Sequence, residues 1–165
     1  MKLYKLSFSQ FLPINKVEAW DFFSSPRNLS LITPPRMNFR ILSVAGGEQI
    51  HRGQIIKYRV SVLPFVRVNW ITEITEVVPF ETFTDVQTHG PYKWWSHRHT
   101  FKPVEDGIQM IDELEYALHF GMIGSLANAL IVGREIKMIF DFRFHALQKR
   151  FGAMPQADPS AMPGK

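Results

Sequence analysis

The sequence contains no cysteine. That excludes disulfides, thiolate chemistry and any zinc site built on sulfur. No apolar run approaches the roughly 18 residues that suggest a membrane span. The N-terminus, MKLYKLSFSQFLP, alternates polar with apolar residues where a signal peptide would be continuously apolar. The formal charge of +4 is spread out, without a Lys/Arg block or a Gly/Arg-rich tail, which makes nucleic acid a poor partner. GxSxG, Walker-type, GxGxxG and HExxH stretches are all missing, so the common hydrolase, nucleotide and zincin signatures do not apply. Ser96 and Ser125 lack any local nucleophile context. These absences lead to the expectation of a cytoplasmic protein without a cofactor.

What is present is aromatic. Phe, Trp and Tyr make up 13% of the chain, with 14 Phe and 4 Trp, inside an ordinary globular balance of 45% hydrophobic and 21% charged residues. Large flat side chains at that density suit the lining of a cavity as well as a packed core. A chain of 165 residues can bury a sizeable core. One domain is expected over residues 1–151, with a flexible tail over 152–165.

A first strand is expected over 2–12, ending at Pro13. Asn15 followed by Glu18 has the capping-box spacing, and a short helix follows over 16–23. Ser25 and Pro26 offer an N-cap and a first-turn proline for a second short helix through Ile32, stopped by Pro34 and Pro35. The pattern then changes to strands at 38–45, 54–63, 66–78, 82–89, 93–103 and 108–117. Turn signals separate them at Gly46-Gly47, Leu63-Pro64, Pro79, Gly90-Pro91 and Asp106-Gly107. Short turns between strands imply an antiparallel meander rather than βαβ units.

After a turn at 121–124, residues 125–151 form the longest element. Leu126, Leu130, Gly133, Phe140, Phe144, Leu147 and Phe151 recur at steps of three, four and seven, which places them on one side of a long amphipathic helix. Gly133 costs roughly 1 kcal/mol against Ala there, a cost that a close backbone or ligand approach would explain. Lys137 falls on the same side, where an ammonium must snorkel, pair with a carboxylate or face a cavity. Ile131, Met138 and Phe142 form a second strip, suited to a loop or to the partner subunit of a homodimer.

The order of one strand, two short helices, six antiparallel strands and a long C-terminal helix resembles the helix-grip fold of the START-like, or SRPBCC, superfamily. That superfamily includes birch-pollen-allergen-like proteins, polyketide cyclases and lipid-transfer domains. More locally, NLSLITPP, GPYKWWSHRHTF and DELEYALHFGMIG resemble a bacterial ligand-binding branch, some of whose members are called cell-division-inhibitor-like. The matching residues are Gly90, Pro91, Trp95, His97, His99, Phe101, Asp112 and Tyr116, while His119 stands where that branch has proline. The resemblance implies an α+β fold in which a curved seven-stranded antiparallel sheet wraps around the long helix. It also implies a hydrophobic small molecule held between them.

Trp95, His97, His99 and Phe101 are alternate residues of one strand and share one face of the sheet. On an inner face, two imidazoles could orient a ligand or move a proton near neutral pH; on a structural reading they stack between satisfied neighbours. His-x-His could also supply two metal ligands, with Asp85 or Asp112 as a carboxylate. The third ligand depends on a strand register that spacing does not reveal, so no metal is expected. Asp85 and Gln87 share a parity with Phe83, as Asp112 does with Leu114 and Tyr116. Tyr58 and Trp70 fall on the apolar parity of their strands. The ligand-facing candidates are thus Tyr58, Trp70, Asp85, Gln87, Trp95, His97, His99, Asp112, Tyr116, Gly133, Lys137 and Phe140.

The leading expectation is a non-catalytic binding module for a lipid, isoprenoid, polyketide or aromatic compound. The first alternative is a cyclase/aromatase- or hydratase-type enzyme using His97 or His99 as acid–base, with a Tyr or Lys137 stabilising an oxyanion. The second is an interaction protein with a filled core that works through the Ile131, Met138 and Phe142 strip.

Overall fold

The computed structural model describes residues 1–63, 66–119 and 125–153. Strand β1 (Tyr4–Leu12) is followed by helix α1 (Lys16–Phe23) and two 3-10 segments, Pro26–Ile32 and Pro35–Met37. Six strands come next: β2 (Arg40–Val44), β3 (Ile55–Leu63), β4 (Val66–Val78), β5 (Thr82–His89), β6 (Trp94–Val104) and β7 (Gly107–Ala117). Helix α2 (Ser125–Phe151) ends the described chain. The strands form one antiparallel sheet in the order β1-β7-β6-β5-β4-β3-β2. This is the architecture that the sequence pattern implies. The expected turn at 121–124, the Leu63-Pro64 turn, the side chain of Leu126 and the tail beyond residue 153 lie outside the described residues.

Local chemistry explains the first elements. Asn15 caps α1 by accepting a hydrogen bond from the Glu18 amide at 2.9 Å. Ser25 holds the N-cap position of the next segment without a side-chain bond, and that segment is 3-10 rather than α-helical. Pro35 does not only stop it: the proline opens a second 3-10 turn, which ends with Asn38 in the left-handed region at φ 44°. The buried side of α1 wedges against the sheet, with Trp20 edge-on to Phe83 and Phe101. Phe22 meets Phe151 of α2 at 5.1 Å. The C-terminal end of the long helix is thereby pinned by the first helix.

Bulges bend the sheet without disturbing the inner face that matters. Thr75 is extra on β4 and Thr88 on β5, each where the β4–β5 register shifts. They lie past Trp70, Thr72 and Ile74 on one strand and past Phe83, Asp85 and Gln87 on the other. Tyr58, Trp70, Phe83, His97, His99, Phe101 and Asp112 are all buried.

The long helix is rotated relative to the face expected from its sequence. Ile136, Phe140, Arg143 and Leu147 are its buried residues among those described, spaced four, three and four. At 100° per residue their mean direction differs by about 55° from that of the expected stripe. Leu130 is consequently 58% exposed, and Lys137 is exposed as well. The expectation that Lys137 faces the sheet is corrected: the buried cation of this helix is Arg143. Ile131 and Met138 of the second strip are exposed, whereas Phe142 is half-buried. Gln10 of β1 donates to the Phe144 carbonyl at 2.9 Å, tying the helix to the sheet's edge.

Candidate functional site

A cavity of about 210 Å³ lies between α2 and the inner face of the sheet. Its walls are apolar and aromatic, built from Tyr58, Trp70, Trp95 and Phe140 with Ile136 and Ile139 of the helix. Trp70 organises the wall. Its ring stacks on Tyr58 at 5.8 Å and meets Trp95 edge-on at 5.0 Å. The buried Trp70 Nε1 has no hydrogen-bond partner among the described residues. Arg36 and Glu135, joined at 2.9 Å, connect the second 3-10 segment to α2 where both residues line the cavity.

One end of the cavity is polar, and strand register explains why. Asp85 stands directly opposite His97 across β5 and β6, and His99 stands opposite Asp112 across β6 and β7. Period-two alternation then turns all four side chains to the same face. His97 Nε2 donates to Asp112 Oδ1 at 3.0 Å. His99 Nδ1 lies 2.8 Å from the same oxygen, and its Nε2 lies 3.3 Å from Asp85 Oδ2. His97 Nδ1 faces that Asp85 oxygen at 3.8 Å. Arg143 enters from α2, with Nη2 at 3.4 Å from Asp112 Oδ1. Its guanidinium sits 5.5 Å from the Phe23 ring and 5.7 Å from the Phe140 ring.

The electrostatics follow from burial and these contacts. Burial alone would raise the carboxyl of Asp112, which is 1% exposed, but Arg143 and the two histidines outweigh it and hold Asp112 well below the usual carboxylate range. Burial pushes the His97 imidazole down, and neighbouring His99 adds to that effect. Burial also opposes charge on His99, yet the carboxylates of Asp112 and Asp85 overcome it and carry this imidazole above its ordinary value. The two histidines are thus driven apart, His97 towards the neutral form and His99 towards the charged one.

Of the residues singled out in the sequence, Tyr58, Trp70, Asp85, Trp95, His97, His99 and Phe140 line the cavity. Asp112 does not line the cavity and reaches it through His97, His99 and Arg143. Gln87 braces the turn after β5 instead: it donates to the Tyr92 carbonyl at 2.7 Å. Gly90 belongs to the same turn, since a Cβ there would fall 2.4 Å from the Gln87 carboxamide. Tyr116 is buried against Tyr4, beside β1 rather than in the cavity. Gly133 covers the Tyr116 hydroxyl at an ordinary contact distance, 3.5 Å from where a Cβ would lie, so no close approach demands glycine. Lys137 takes no part. Arg143 and Ile136 escaped the sequence reading, although the spacing 136, 140, 143, 147 carries them.

No family model matches the chain, and no curated protein matches its sequence. Solved structures match its fold. The Zhui aromatase/cyclase from Streptomyces sp. R1128 superposes with a TM-score of 0.70 at 11% identity, covering 90% of this chain and 93% of that one. Ara h 8.0201 gives 0.64 at 11% identity, over 91% and 98% of the two chains. Protein CV1439 from Chromobacterium violaceum gives 0.68 at 12% identity, over 91% and 98%. Together the sheet, the long helix and the cavity between them define a helix-grip protein. Its fold is that of the START-like, or SRPBCC, superfamily. Among the described residues no helix is long and apolar enough to cross a membrane.

Proposed function

We propose that this protein binds a compact hydrophobic molecule, aromatic or polycyclic, in the cavity beneath α2. The observation that carries the reading is the division of that cavity into aromatic walls and a buried polar end formed by Asp85, His97, His99 and Arg143. Apolar contact with Tyr58, Trp70 and Trp95 supplies affinity, at about 25 cal/mol per Å² of buried surface. The polar end fixes orientation, because a ligand hydroxyl or carbonyl must be placed where it can be hydrogen-bonded. Trp70 Nε1, buried without a partner among the described residues, is a donor that a ligand oxygen would satisfy. A volume of about 210 Å³ lies below the roughly 300–1,000 Å³ of common ligand pockets, which favours one or two fused rings over a long acyl chain.

Native mass spectrometry of the purified protein, followed by solvent extraction, tests this. The expected result is a retained apolar compound, or protection against unfolding by small aromatic compounds and not by fatty acids. A protein protected by neither class overturns the reading.

A catalytic reading is favoured by one observation: both histidines line the same cavity, each within reach of a carboxylate. His97, the neutral imidazole, is the base in that reading, and Asp112 orients it. Loss of turnover of an identified ligand in His97→Gln, with binding kept, supports catalysis. Unchanged turnover removes it.

A further inference from the structure

We propose that Asp85, His97 and His99 form a binding site for a divalent first-row transition ion, Zn²⁺ or Fe²⁺, at the polar end of the cavity. Two imidazoles and one carboxylate, leaving further coordination positions open, are a donor set that both ions accept.

The geometry is that of three donors converging on a point. One donor atom from each residue lies within 4.8 Å of the others. The two separations from Asp85 Oδ2 are 3.3 Å to His99 Nε2 and 3.8 Å to His97 Nδ1. Donors held about 2.1 Å from a tetrahedral ion stand roughly 3.4 Å apart, and both separations from Asp85 are within a few tenths of an ångström of that. All three side chains are buried or nearly so and sit on adjacent strands, which fixes their spacing.

The nitrogens on the far side of the rings make the stronger case. His97 Nε2 and His99 Nδ1 both lie against Asp112 Oδ1, at 3.0 Å and 2.8 Å. A carboxylate is an acceptor only, so His97 Nε2 carries the hydrogen, and the Nδ1 lone pair of the neutral ring points at Asp85. That lone pair and the Asp85 oxygen, 3.8 Å apart, repel unless a cation stands between them. A carboxylate behind the ligating histidines that fixes their tautomer is the usual support of a metal-bound imidazole. In the absence of a metal a proton on His99 serves the same purpose. Charge agrees: with both imidazoles neutral, as metal ligands must be, Asp85 and Asp112 bring two negative charges against the single positive charge of Arg143. The remaining coordination positions face the aromatic cavity, where an oxygen of a bound molecule could reach the ion.

The test uses the metal alone, so it stands or falls separately from the binding of any organic ligand. Protein stripped with EDTA is titrated calorimetrically with Zn²⁺, and with Co²⁺ while visible absorption is followed. The expected result is one ion per chain, with Co²⁺ bands more intense than those of the aqueous ion. Asp112→Asn should weaken binding about 10–100-fold, as a lost supporting carboxylate does, and His97→Gln, His99→Gln and Asp85→Asn should weaken it further. His145→Gln, on the exposed side of α2, should change nothing. Asp85→Asn preserves shape at the least buried of the three positions, so it keeps the test sound if a histidine variant fails to fold. Zn²⁺ should raise the melting temperature of the unaltered protein and not of Asp85→Asn. No stoichiometric binding, or affinity indifferent to Asp85→Asn, overturns the proposal and assigns any bound ion to the exposed histidines.

Discussion

Asp112 Oδ1 accepts the Nε2 proton of His97 at 3.0 Å, and both side chains are buried. The same carboxylate faces Arg143 from the long helix, so one acid on β7 joins the middle of the sheet to α2. Removing one partner of a buried ionic group strands the other. Asp112→Ala should therefore cost about 3–5 kcal/mol in urea unfolding. A loss under about 1 kcal/mol would mean that Arg143 and the histidines are satisfied without it.

The rotation of α2 separates two substitutions that the sequence alone ranks the other way. Ile136 is 1% exposed, so Ile136→Ala should lose about 2–5 kcal/mol. Leu130 is 58% exposed, and Leu130→Ala should stay within about 0.5 kcal/mol. Equal losses at both positions would contradict the helix orientation.

Gly133 lies within a helix, and a Cβ there would meet, among the described residues, only the Tyr116 hydroxyl at an ordinary contact distance. Gly133→Ala should stabilise the protein by up to about 1 kcal/mol through helix propensity. A fall in melting temperature would reveal a crowding that the 3.5 Å contact does not suggest.

Burial pushes the Tyr58 phenol well above its ordinary value of 10.0, and burial raises Tyr92 and Tyr116 too. A raised folded value means that the unfolded chain releases its phenolic protons first. Their contribution is complete below pH 10.0 and is lost as the pH rises from there towards the folded values. Alkaline unfolding should thus coincide with tyrosinate absorbance, and Tyr58→Phe should move its midpoint upward. An unmoved midpoint would show that Tyr58 does not drive the transition.

Arg36 and Glu135 join across the cavity lining, at 2.9 Å, with partly exposed side chains. Glu135→Gln should change stability by less than about 1 kcal/mol, as exposed pairs do. It should nonetheless speed exchange of a fluorescent apolar probe measured by stopped flow. Equal exchange rates would place the ligand's entry elsewhere.

The helix-grip order is legible in the chain because each signal is local. Pro, Gly and Asp-Gly turns mark the strand ends, Asn15 marks the start of α1, and a period of two marks an inner face. His97 and His99 could be paired on paper, since residues two apart on a strand always share a side. Asp112 and Asp85 could be assigned a parity but no partner. Their partners depend on which residue stands opposite which across two ladders, and register is a property of paired strands.

Lys137 and Arg143 show where the signal ends. The long helix carries apolar residues on more than one side, so several rotations of it satisfy its own periodicity. Packing against the sheet selects one, in which Ile136, Phe140, Arg143 and Leu147 are buried and Lys137 stays in water. The sequence by itself determined the elements, their order and the faces of the strands, because those rest on short-range stereochemistry. Only the tertiary structure decided that two aspartates, two histidines and an arginine from four elements meet at one end of an aromatic cavity. That meeting depends on strand register and helix rotation, which arise when separate elements pack together.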